Sequence, residues 1–181
     1  MRHPNTALAW TLLPLWLLKR ELLAFKRWRI RRSNVDRWFD AVDDALVVGG
    51  ALFPGDLDEL RKLGVGAVLS LCAEYADDGG DGVVMHRIPV HDDFAVNEEQ
   101  LLEAVAWIEA RAAEGKKVYV HCAAGRGRSV SVVVAWLVKR HGLATDEALA
   151  RVQAVRRAAR PTGWQLASVR RLEKKLREGR A

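Results

Sequence analysis

From about Trp38 onward, short apolar runs of strand length alternate with longer stretches whose apolar positions recur at helical spacing. Trp38-Phe39 and Ala45 to Val48 read as short strands closing on Gly49-Gly50, and Val65 to Leu71 as a buried strand. Between them, Asp56 with Glu59 three residues on marks a helix start, and Gly64 its end. Asp77 to Gly82 is a loop by composition, and Val83 to Ile88 is the next strand. Asn97 and Gln100 form a capping pair for a helix carrying Leu101, Leu102, Val105, Trp107 and Ile108, which stops at Gly115. Val118 to His121 is a strand and Ser129 to Arg140 a helix ended by Gly142. Thr145 caps a further helix reaching about Ala159, Arg160-Pro161 breaks it, and a basic helix begins at Gly163 or Trp164. This alternation predicts an α/β three-layer sandwich, a central, mainly parallel sheet flanked by helices.

The first 34 residues follow another pattern and read as a separate segment before a domain spanning 35–181. Ala7 to Leu18 is almost wholly apolar, and Leu22 to Phe25 continues it ahead of Lys26, Arg27, Arg29, Arg31 and Arg32. Twelve apolar residues make roughly 18 Å of helix against a hydrocarbon core of roughly 30 Å, and Pro14 would kink it. Trp10, Trp16, Trp28 and the neighbouring arginines suit the membrane interface, so residues 7–32 are expected to bind an anionic membrane surface. The alternative is a helix packed on the domain or in an oligomer. The positive residues place the domain on the cytoplasmic face.

Charge supports that division. The net charge is +6, yet residues 1–35 hold eight Lys/Arg against Glu21 alone, leaving the rest near neutrality. A nucleic-acid partner is therefore not expected. Two cysteines give no disulfide framework, and no Cys/His cluster has the spacing of a metal site, so neither metal nor cofactor is expected.

The chemistry concentrates in His121-Cys122-Ala123-Ala124-Gly125-Arg126-Gly127-Arg128-Ser129, between a strand and a helix N-terminus. Inward-pointing N–H groups of such a loop and the positive end of the helix dipole suit an oxyanion and lower a thiol's pKa. Arg128, six residues after Cys122, can grip two phosphate oxygens with its planar fork. Thiolate, amide cradle and arginine describe attack on a phosphate ester.

Cys, five residues, Arg and Ser, preceded by His, resembles the signature of the cysteine-dependent protein tyrosine and dual-specificity phosphatase superfamily. The resemblance implies hydrolysis of phosphate monoesters through a phosphocysteine intermediate, with residues 123–128 as the phosphate loop. It implies a general acid after an Ile-Pro-Val-like run, which falls on Asp92, with Asp93 the adjacent rival. By the same resemblance, His121 stiffens the loop and tunes the thiolate, and Ser129 stabilises Cys122 as it leaves; a partly buried histidine and a simple N-cap are the bland alternatives. Arg126 reads a second negative charge on the substrate or is solvated decoration, and Gln165 resembles a glutamine at a similar distance in some members.

The classical tyrosine-phosphatase motif Lys-Asn-Arg-Tyr is absent and the domain is compact, which places the resemblance on the dual-specificity side. Leu46 to Pro54, Glu74-Tyr75 and the active loop look like the mitochondrial-type phosphatases, a group that includes phosphatidylglycerophosphate phosphatases. Ala123 departs from the Lys usual there and in the tensin-type phosphoinositide phosphatases, removing a cation from the pocket floor. The substrate implied is a phospholipid such as phosphatidylglycerophosphate, the alternative a phosphoprotein carrying phosphotyrosine or phosphoserine/threonine. Cys72, in a run resembling the tensin type, should end a strand beside the one delivering Cys122. It then forms a disulfide with an oxidised Cys122 or simply packs the core.

Overall fold

The computed structural model describes residues 38–53, 55–74, 77, 80, 82–92 and 94–179, so the N-terminal segment, Tyr75 and Asp93 lie outside the described residues. Its centre is a five-stranded sheet. β1 (Phe39–Ala41), β2 (Leu46–Gly49), β3 (Val65–Cys72), β4 (Val84–Val90) and β5 (Lys117–His121) lie in the order β1-β2-β5-β3-β4. Strands β2, β5, β3 and β4 pair in parallel, and only β1 runs antiparallel, against β2. The central strands are continuous Val/Leu-rich runs because both of their faces are covered.

Among the described residues, five helices cover those faces: α1 (Asp56–Lys62), α2 (Glu98–Ala113), α3 (Arg128–His141), α4 (Thr145–Val155) and α5 (Gly163–Arg177). On one face Leu57 and Leu60 of α1 pack on Val47, Val65, Val68 and Tyr119. On the other, Leu101, Val105 and Ile108 of α2, the valines of α3, Val152 of α4 and Leu172 of α5 meet Val48, Leu69, Leu71 and Val120. Every residue of α3 from Arg128 to Val138 is buried. A helix apolar all round must be enclosed, and α3 is wedged between the sheet and its neighbouring helices.

Most predicted elements form where the pattern places them, and the three-layer α/β sandwich is observed. Asn97 and Gln100 make a reciprocal capping box, and Gly142 closes α3 in the left-handed conformation at φ 66°. Three ends differ. Asp56 is the first helical residue and not the cap; Gly55 precedes it and the Asp56 carboxylate turns back to accept from Phe53 N–H at 2.9 Å. Thr145 is likewise inside its helix, its hydroxyl donating to Glu173 at 2.6 Å while Glu147 accepts from Ala144 N–H. Helix α4 stops at Val155, not near Ala159, because Arg156 leaves the helix to bind the active loop.

Candidate active site

Strand β5 ends at His121, and residues 122–127 turn back on themselves before Arg128 opens α3. No side chain caps α3, so its first N–H groups are left to the loop's interior. Gly125 stands at φ 66°, where a Cβ would collide with the Gly49 backbone and come within 2.6 Å of Arg156 Nη2. The exit of β2 forms the loop's floor: Ala51 N–H donates to Ala123 O at 3.1 Å, and the Ser129 hydroxyl lies 3.4 Å from Gly49 O. Gly49 and Ala51, part of the run that carries the family resemblance, thus have a physical role.

Cys122 is 3% exposed, with its sulfur 3.4 Å from Ser129 Oγ. Burial pushes the thiol up, but the Arg128 charge, the Ser129 hydroxyl and the N–H groups of Ser129 and Gly125 outweigh it. The net result is a thiol held below its ordinary value. Because the Ser129 hydroxyl bonds to the charged form, Ser129→Ala is expected to raise the thiol's titration. The pH midpoint of Cys122 alkylation should then move upward in the variant; an unmoved midpoint would limit Ser129 to packing.

Arg128 is buried, and both terminal nitrogens of its fork have partners. One terminal nitrogen donates to both oxygens of Glu74, at 3.0 and 3.1 Å, and to Val90 O at 2.5 Å. The other donates to Asp92 Oδ1 at 2.8 Å. Burial works against the guanidinium charge, and Cys122, Glu74 and Asp92 more than offset it. Glu74 also accepts from Asp92 N–H at 2.7 Å. Burial opposes its ionisation, but its own N–H, Arg128 and Asp92 N–H hold it below the usual carboxylate range. Glu74 therefore fixes the arginine and the start of the Asp92 loop together. Asp92 is exposed on the pocket's edge.

His121 is fully buried and stacks on Tyr119, ring centroids 5.3 Å apart. Its Nδ1 lies 3.4 Å from Cys122 O and its Nε2 3.4 Å from Asp77, which accepts from the Ser70 hydroxyl at 2.8 Å. The Tyr119 hydroxyl donates to Gly50 O, tying this cluster to the loop's floor. Among the described residues, the group whose donors could surround a metal ion is Cys72, Asp77 and His121, all within 4.8 Å of one another. It sits behind the loop, apart from the Cys122 thiol. β3 pairs with β5 as expected, with Ser70 opposite His121. Cys72 lies on the His121 side with Asp77, Cys122 joins the core of Leu71 and Val120, and both cysteines are free and buried.

Two residues at the loop were weakly marked or unmarked in the sequence. Arg156, fully buried, donates through Nε to Gly125 O at 2.6 Å, through Nη2 to Ala124 O at 3.3 Å and through Nη1 to Asp40 at 2.7 Å. It looks like part of a surface basic run, because its partner Asp40 is 116 positions away. Gln165 is buried in the first turn of α5; a Cβ on Gly127 would lie 2.5 Å from its Oε1, and its amide donates to Phe94 O at 3.1 Å. Arg126 is half-buried, its carbonyl accepting from Arg160 N–H at 2.8 Å. Arg156→Ala is expected to lower the unfolding free energy by about 3 kcal/mol, since it strands Asp40 and two loop carbonyls. Aryl phosphate turnover should fall with it, by roughly tenfold or more. Denaturant melts and steady-state kinetics read the two effects.

A thiol held low, an arginine fork and an exposed carboxylate around a strand–loop–helix turn define a cysteine-dependent phosphatase site. The family profile of the dual specificity phosphatase catalytic domain matches residues 54–175, and the chain belongs to that family, its domain that of a phosphoric monoester hydrolase of the protein tyrosine phosphatase type. Among relatives, the chain is 33% identical over 127 residues to phosphatidylglycerophosphate phosphatase PTPMT1 of Arabidopsis thaliana, covering 66% of this chain and 38% of that protein. It is 34% identical over 135 residues to PTPMT2 of the same plant, covering 71% and 59%. It thus spans about 38–59% of the length of these relatives. Among solved structures, Tk-PTP in its active form is 35% identical with a TM-score of 0.71, covering 76% of this chain and 97% of the other. PTPMT1 in complex with PI(5)P shares the fold at a TM-score of 0.75 and 23% identity, covering 80% and 100%.

Proposed function

We propose that the chain hydrolyses the phosphate monoester of a phospholipid, phosphatidylglycerophosphate being the leading substrate, through a phosphocysteine intermediate. The observation that carries the chemistry is the thiol of Cys122, held low by Arg128 and the head of α3, with Asp92 on the same guanidinium. The Cys122 thiolate attacks phosphorus, forming the S–P bond as the P–O ester bond breaks. The leaving alkoxide takes a proton from Asp92. A water then attacks the phosphocysteine, giving its proton to the Asp92 carboxylate, and inorganic phosphate and the thiolate are released. Loop N–H groups and Arg128 neutralise the equatorial oxygens throughout, and the Ser129 hydroxyl steadies the departing thiolate.

The lipid assignment is supported by the 33% and 34% identity to phosphatidylglycerophosphate phosphatases. The apolar, basic stretch 7–32, outside the described residues, supports delivery to an anionic membrane on the cytoplasmic side. Among the described residues no helix is long and apolar enough to cross a membrane. A protein substrate is the second reading, favoured by 29% identity over 136 residues to dual specificity protein phosphatase 1 of Arabidopsis thaliana. Purified full chain assayed side by side on phosphatidylglycerophosphate, phosphoinositides and phosphopeptides separates the two. The highest kcat/KM is expected on phosphatidylglycerophosphate in anionic vesicles, with vesicle binding that weakens as salt rises. A preference for phosphopeptides, or salt-insensitive binding, would overturn the corresponding part.

Asp92→Asn is expected to cost about 100-fold at the activity optimum, to flatten the alkaline side of the pH profile, where the acid would otherwise lose its proton, and to hurt poor leaving groups most. Asp93→Asn should be mild. The reverse order in a leaving-group series would move the acid to Asp93.

A further inference from the structure

Four large hydrophobic side chains are exposed among the described residues: Leu63, Val155, Phe94 and Trp164. Leu63 sits beside the start of β3, at the opposite end of the sheet from the active loop. The other three stand on segments that touch that loop. Phe94, 68% exposed, lies two residues after Asp92, and its carbonyl holds the Gln165 amide that abuts Gly127. Trp164, 80% exposed, is the neighbour of Gln165 in the first turn of α5. Val155 ends α4, one residue before Arg156 turns into the loop. Exposed Arg157 and Arg160 lie on the same connection, and Arg160 N–H holds the Arg126 carbonyl. The carboxylate of this rim, Asp92, is matched by Arg128.

An exposed tryptophan and phenylalanine cost free energy in water, and here they stand on the segments that hold Gln165 against the catalytic loop. Aromatic rings interleaved with arginines match a headgroup layer, with rings at the acyl boundary and guanidinium groups on lipid phosphates. We infer that the rim of the catalytic loop is itself a bilayer-docking surface: Phe94, Trp164 and Val155 enter an anionic phospholipid interface, while Arg157 and Arg160 contact its headgroups. Docked in this way, Cys122 faces the lipid plane and reads a phosphate standing above it. The inference rests on the lipid reading and deepens it, since it assigns orientation to the catalytic domain and not only tethering to residues 7–32.

The test compares the full chain with its Phe94→Ala/Trp164→Ala variant on three substrates. These are phosphatidylglycerophosphate in anionic vesicles, the same headgroup on acyl chains short enough to stay monomeric, and an aryl phosphate. On vesicles kcat/KM is expected to fall by about tenfold or more, the scale of losing buried aromatic area. On the two soluble substrates it should change by less than about twofold, because neither ring belongs to the phosphate loop or the acid. Equal rates on vesicles overturn the inference, as does an equal loss on vesicles and monomers. A loss on a phosphopeptide assayed in parallel, with none on vesicles, would assign the rim to a protein partner and overturn it too. If wild type hydrolyses no lipid at all, the substrate reading fails, and docking is read separately from tryptophan quenching by brominated acyl chains. Trp164→Phe should remove a share of that quenching; undiminished quenching overturns the docking surface.

Discussion

Cys122→Ser is expected to reduce aryl phosphate turnover by a factor on the order of 10⁴ or more, the scale on which removing a nucleophile acts. The reason is specific to this pocket. Arg128, Ser129 and two loop N–H groups are arranged to hold a thiol below its ordinary value and so favour its thiolate. An alcohol titrates far above any pH they can reach, so the same environment leaves serine neutral and a poor nucleophile. The fold should survive, since a hydroxyl replaces a sulfur in a site already lined by donors. Stopped-flow kinetics with a thermal melt of each protein reads both parts. Residual turnover within about tenfold of wild type would mean that the nucleophile is another group.

Arg128→Lys is expected to cost about 10²–10³ in kcat/KM, although charge is conserved. The guanidinium serves four partners from a planar fork: two oxygens of Glu74, Val90 O and Asp92. An ammonium presents three donors from one point and cannot hold Glu74 and a phosphate in the same plane. The loss should extend to soluble aryl substrates, because the contact lies with the transferring group and not with the rest of the substrate. It should also show in the pH profile. With less positive charge close to the sulfur, the thiol rises and the acid limb of kcat/KM moves to higher pH. A lysine variant with wild-type kcat/KM and an unmoved limb would confine Arg128 to a structural ion pair.

The parts of the site read most readily from the sequence are those that are local in the chain. Cys122 and Arg128 lie on one strand–loop–helix turn, so their spacing alone brings sulfur and guanidinium together. Asp92 is fixed by a strand ending in Val90 and a helix capped by Asn97, both visible as patterns. The supports are another matter. Glu74 was visible only as part of a resemblance, and its grip on Arg128 crosses 54 positions of sequence. Asp77 sits in a run of acidic and glycine residues that reads as solvated loop, yet it faces the buried His121. Arg156 lies among arginines at a helix end, and only the pairing of β1 with β2 brings Asp40 near enough to hold it. Cys72 shows the limit from the other side. The apolar runs imply that β3 and β5 are neighbours, and they pair, but which face a residue at a strand end takes depends on register, which apolar runs do not encode. Thr145 and Asp56 were misplaced by one residue for a related reason. A capping residue type says that a helix begins, and tertiary partners such as Glu173 decide where.

The most direct test of a phosphocysteine at the centre of this site is a rapid quench of the full chain with phosphate-labelled substrate, followed by digestion and location of the label. Label is expected on the peptide containing Cys122, forming within the first turnover, accumulating further in Asp92→Asn with a good leaving group because hydrolysis then lacks its base, and absent in Cys122→Ser. Label on another residue, or full turnover with none on Cys122, would contradict it.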